Sequence, residues 1–83
     1  MQVQEILQQL DTLLKNSRLQ EADVFLKEQI AVAEQAEDWE TALTLYNEQI
    51  GFFRDCGRFP ESLAVGEKAL ECVEKLHLKQ TIA

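Results

Sequence analysis

The chain has 83 residues, 46% of them hydrophobic and 28% charged, and a formal net charge of −7 at pH 7. That length suits one domain around one core, and the acidic balance argues against phosphate backbones or anionic membrane surfaces as partners. With three glycines and one proline, the chain lacks the turn-forming residues that a β-sheet needs, so the expected fold class is all-α.

Apolar residues recur at steps of 3 and 4, the spacing that places side chains on one helix face. The first stripe is Val3, Ile6, Leu7, Leu10, Leu13 and Leu14. The second is Leu19, Ala22, Phe25, Leu26, Ile30 and Ala33. The third is Trp39, Ala42, Leu43, Tyr46, Ile50 and Phe53, widened by Leu45 and Phe52. The fourth is Phe59, Leu63, Gly66, Ala69, Leu70, Val73 and Leu76. Helices are therefore predicted over 2–15, 18–36, 39–55 and 60–77.

Stop and start signals separate the stripes. Ser17 with Gln20 has the pattern of a capping box, and Asp38 is placed to cap the third helix. Gly57 can take the left-handed conformation that closes a helix, and Pro60 suits the first turn of the fourth. Asp11–Lys15, Asp23–Lys27 and Glu71–Lys75 lie four apart with the acid first, the favourable order for an ion pair. Linkers this short make consecutive helices neighbours and antiparallel.

Little in the sequence points to chemistry. Cys56 and Cys72 sit at apolar helical positions, where free thiols behave as small hydrophobes. Two cysteines make no disulfide framework, which suggests a reducing, cytoplasmic setting. Met1 to Leu10 carries no basic residue and no apolar run, so no signal peptide is expected, and no apolar stretch reaches membrane-spanning length. The serines and threonines have no histidine partner pattern, and His77 stands alone. Glu37, Asp38 and Glu40 form a solvated helix start rather than a cation loop. No catalysis, cofactor or metal is expected. Trp39, Phe52, Phe53 and Phe59 are expected in the core, with Phe52 the least well placed on its stripe.

The sequence also repeats. Leu19, Trp39 and Phe59 recur every 20 residues, each preceded by a polar residue and followed three positions on by Ala22, Ala42 or Ser62. Glu28-Gln29-Ile30 recurs as Glu48-Gln49-Ile50. A bulky wedge at each helix start and a small notch one turn later would pack every helix on its neighbour in the same way. Stacking of that kind builds solenoids.

Over 45–70 the chain resembles the tetratricopeptide repeat (TPR) family. Tyr46 and Phe53 match the two aromatic positions of the family's first helix. Gly57 and Phe59 match the turn glycine and the aromatic after it, and Ala69 matches the small position of the second helix. Ile6, Leu13, Leu19 and Ala22 match more loosely 40 residues earlier. The pattern departs from the family at Gln49-Ile50, Ser62 and Gly66, and its 40-residue period exceeds the usual 34. The resemblance implies a right-handed solenoid of two antiparallel hairpins, about 1–37 and 38–78, within one domain spanning 1–83.

The resemblance also implies a protein-interaction module, a scaffold or peptide binder, with a groove lined by the first helix of each hairpin. That groove would comprise Gln4, Gln8, Asp11 and Lys15, then Thr44, Asn47, Glu48, Gly51 and Asp55. Only Lys15, Asn47 and Arg54 could serve the family's carboxylate clamp, so a neutral or basic peptide is the expected partner. Two hairpins are few for a stable stack. The face of the last helix, including Val73 and Leu76, is thus expected to be covered by a second copy or further repeats. A closed, self-associating four-helix bundle and a fragment of a helical-repeat sensor are the alternatives.

Overall fold

Four α-helices follow one another: α1 Val3–Lys15, α2 Leu19–Gln35, α3 Trp39–Asp55 and α4 Phe59–Ile82. The computed structural model describes the backbone of residues 2–82 and the side chains of residues 2–78, and no strand occurs among them. The all-α expectation therefore holds, and the first three helices end within one residue of their predicted limits.

The 20-residue period reappears in the turns. Ser17, Glu37 and Gly57 have positive φ, at 57°, 54° and 75°. At each, two amides reach back to otherwise orphaned carbonyls. Ser17 N–H donates to Leu14 O (3.1 Å) and Arg18 N–H to Leu13 O (2.9 Å). Glu37 and Asp38 do the same to Glu34 and Ala33 (3.1 and 2.9 Å), and Gly57 and Arg58 to Arg54 and Phe53 (3.0 and 2.7 Å). This is the Schellman closure of a helix, repeated three times. The links inside and between the expected hairpins are thus alike, and one helix plus one turn is the structural unit.

Local chemistry differs among the turns. Gly57 adopts its conformation without steric cost, whereas Ser17 and Glu37 do not. The Ser17–Gln20 capping box is not formed. Arg18 is the N-cap of α2, with no side-chain cap bond, because a residue held at left-handed φ cannot also be an extended N-cap. Asp38 does cap α3, accepting from Thr41 N–H (3.4 Å) and Thr41 Oγ1 (2.7 Å). Pro60 lies in the first turn of α4, where the helix needs no amide donor.

Each helix packs on its chain neighbours. The extensive contacts are α1 with α2, α2 with α3 and, most extensive, α3 with α4. α1 makes no extensive contact with α4, and the molecule measures 43 × 28 × 16 Å. A closed bundle would bring its first and last helices together. The buried core runs from Ile6 and Leu10 through Ala22, Leu26, Ile30, Leu45, Tyr46 and Phe53 to Val65, Ala69 and Cys72. Leu26 and Leu45 are fully buried, each stabilising the fold by about 1.5–3 kcal/mol. Ala22 and Ala42 are completely enclosed, as expected for notches that admit a neighbouring backbone.

Three expectations need correction. The wedge does not exist as drawn: Leu19 and Phe59 are 49% and 57% exposed, and Trp39 is half-buried. These first residues lie at the rim of each crossing, and the close approach is made one turn later at the alanines. Phe59, Leu63, Leu70 and Val73 are exposed rather than core. α4 instead turns Val65, Ala69 and Cys72 onto α3, a row slim enough to approach the bulky Leu45, Tyr46 and Phe53. Cys56 is exposed as the C-cap of α3. Phe52, by contrast, is only 6% exposed, its ring centroid 5.8 Å from that of Phe53.

Candidate functional site

Two depressions flank the stack. One, of about 400 Å³, lies between α1 and α3 near the start of α2. Leu14 and Leu19 form its wall on one side, and Asn47, Glu48, Gly51 and Asp55 form the other, with Phe52 between them. Leu14 is 37% exposed and Leu19 49%, so the depression offers apolar surface to a visitor. Glu48, Asp55 and Asn47 are exposed around it. The lack of a Cβ at Gly51 matters because nothing stands within 4 Å of where one would lie. The wall is open there.

The candidate residues from α3 therefore gather at one place, and those from α1 do not. Gln8 belongs to a separate depression along α1, beside Glu5 and Thr12. Lys15 is paired with Asp11 at 3.0 Å, and Gln4 is exposed away from both depressions. Thr44 is half-buried and donates its hydroxyl to Glu40 O at 3.1 Å. What α1 and α2 contribute at the α3 depression is Leu14 and Leu19. Counting stripe positions missed both, because adjacent Leu13 and Leu14 cannot both face the core and a helix's first residue escapes it. The doublet itself was the available signal.

The second depression, about 410 Å³, lies between α2 and α4 over α3. Lys27 and Lys68 oppose Glu34 and Glu61 around it, above the buried Gln49. Its charges are mutually engaged. Lys27 pairs with Asp23 at 3.2 Å. Arg58 lies 4.5 Å from the centre of the Phe53 ring, 3.7 Å from Asp23, and forms a fork on Glu61, Nε to Oε1 at 2.8 Å. The Arg58 hydrogen bond holds the Glu61 carboxyl below the ordinary carboxylate range. One carboxylate oxygen of Asp23, Oδ1, is buried without a partner.

Next to this depression the Tyr46 hydroxyl donates to Glu34 across α2 and α3. Burial, then that hydrogen bond, pushes the Tyr46 phenol well above its usual value. Cys72 donates its thiol to Trp39 O at 3.1 Å, and burial pushes its pKa up as well, which keeps it a thiol rather than a reactive thiolate. Lys75 sits 4.0 Å from the centre of the Trp39 ring rather than on Glu71. Asp11–Lys15 and Asp23–Lys27 do form as expected.

Among the described residues no three His, Cys, Asp or Glu side chains gather as metal ligands, and no helix is long and apolar enough to cross a membrane. Comparison with protein-family models, with curated proteins and with solved structures found no match.

Proposed function

We propose that this chain is a non-catalytic protein-interaction module of the tetratricopeptide type, operating in a reducing cytoplasm as a scaffold or peptide receptor. The observation that carries the proposal is the depression between α1 and α3, where exposed Leu14 and Leu19 face the acidic pair Glu48 and Asp55. Apolar surface supplies affinity and the flanking carboxylates supply selectivity and a faster encounter. A peptide segment with an aliphatic anchor and a neighbouring Lys or Arg fits that arrangement, while an acidic chain terminus does not. The right-handed solenoid remains part of the proposal. It is supported by three alike turns spaced by 20 residues and by packing between successive helices.

The test is affinity capture from cell extract, comparing the natural chain with a Glu48→Ala/Asp55→Ala double variant and a Leu19→Asp variant. A bound protein retained by the natural chain and lost with both variants supports the proposal. Unchanged capture by both variants removes the depression from the function.

A further inference from the structure

The outer side of α4 is an uncovered apolar stripe. Phe59, Leu63, Leu70 and Val73 are 57%, 72%, 68% and 47% exposed. Their spacing sets them along one line of the helix, with Gly66 between them and open space where its Cβ would be. Contiguous exposed apolar surface of this kind marks an interaction site more often than chance exposure does.

The repeat identifies the kind of element that belongs there. Twenty residues earlier the same positions are Trp39, Leu43, Ile50 and Phe53, all buried or half-buried. α4 is what covers them. Cys72 bonds Trp39 O, Lys75 lies over the Trp39 ring, Ser62 donates to Ile50 O at 3.1 Å, and Arg58 lies over Phe53. The register thus asks for a helix lying across α4 as α4 lies across α3. By the same rule that helix carries an apolar–small–apolar row like Val65, Ala69 and Cys72.

Charge identifies its chemistry. With about 100° between successive residues, Glu67 and Glu74 border the stripe on its open edge, while Lys68 and Lys75 point to the far side. Glu67, Glu71 and Glu74 are all exposed. Phe59 occupies the place where Trp39 receives a lysine over its ring, and it offers that face uncovered. Both features favour cations.

A second copy of this chain fits poorly. At the positions that seat α4 on α3, α1 carries Glu5, Gln9 and Thr12, all exposed and polar, so head-to-tail stacking lacks its apolar row. A two-fold pairing of α4 on α4 sets the two Glu67-bearing edges against each other. We propose that the outer face of α4 docks a basic amphipathic helix from another protein, a surface separate from the α1–α3 depression.

The test uses two fluorescent synthetic helices with leucines at heptad a and d positions, one flanked by lysines and the other by glutamates, titrated by anisotropy. The expected result is binding of the lysine helix alone. Leu70→Glu should weaken it by about tenfold or more, as loss of a central apolar anchor does. Glu67→Lys/Glu74→Lys should transfer the preference to the glutamate helix, and Glu48→Ala/Asp55→Ala should leave binding unchanged. Leu70 is exposed, so circular dichroism should be unaltered by its replacement; if it is altered, the Glu67/Glu74 charge reversal decides. Equal binding of both helices, or an indifferent Leu70→Glu variant that keeps its fold, overturns the proposal. So does a natural-chain dimer in sedimentation that Leu70→Glu renders monomeric, since the occupant is then a second copy.

Discussion

α3 and α4 have the same register and opposite surroundings. Position for position, Trp39, Leu43, Ile50 and Phe53 are covered, while Phe59, Leu63, Leu70 and Val73 are open. The residue types are equally apolar, so composition does not separate them. What separates them is a neighbour on both sides of α3 and on only one side of α4. In a repeat built this way, burial is a property of position in the stack rather than of the helix alone.

The largest expected effect tests that contrast directly. Leu45→Ala should lower stability in urea melts by about 2–5 kcal/mol, the range for truncating an enclosed leucine. Leu70→Ala should stay within about 0.5 kcal/mol of the natural chain, as exposed substitutions do. Similar losses at both sites would erase the distinction.

Position 46 on α3 corresponds to position 66 on α4, where tyrosine gives way to glycine. Tyr46→Phe should lower stability by about 1 kcal/mol, the usual net worth of one hydrogen bond. It should also change the alkaline limb of the stability curve. The Tyr46 phenol holds its proton more tightly when folded, chiefly through burial and then through Glu34. The native state therefore keeps its full stability below about pH 10, the ordinary phenol value, and loses it progressively above. Thermal melts at rising pH should show that slope in the natural chain and a shallower one in Tyr46→Phe.

The smallest effects concern the turns that lead into the two helices. Gly57→Ala should cost about 1 kcal/mol, because a Cβ is strained at left-handed φ. Glu37→Gly should move the other way by about 0.5 kcal/mol, relieving that strain against a greater loss of chain freedom. Denaturant midpoints would read both changes. A stabilising Gly57→Ala would reverse the assignment of strain.

Much of this fold was legible because helix periodicity and turn chemistry act over a few residues. The spacing of Ile6, Leu10, Leu26 and Ile30 located helix faces, and Gly57 and Asp38 announced their roles. Tertiary context decided the rest. Phe59 and Leu70 satisfy the helical stripe, yet no neighbour covers them. Val65 and Cys72 were passed over because they form a second row beside the obvious one. Gln49 is buried at 6% exposure although its amide gives no hint of it. At the candidate site, Asn47, Glu48, Gly51 and Asp55 share one helix face and arrive together. Their partners across the depression depend on how α1 crosses α3, which spacing alone does not encode. The Ser17 turn illustrates the same limit: its capping pattern was present, and the Schellman closure at that residue prevailed.

The three alike turns make the molecule tolerant of change in one kind of step only. Deleting a single residue within α3 rotates everything downstream by about 100°, swinging Val65, Ala69 and Cys72 off their seats. Removing or adding a whole helix-and-turn leaves the phase intact, because each junction is closed by the same pair of amides. Length in such a chain is therefore quantised, and gain or loss of one unit changes its reach without disturbing the joints that remain.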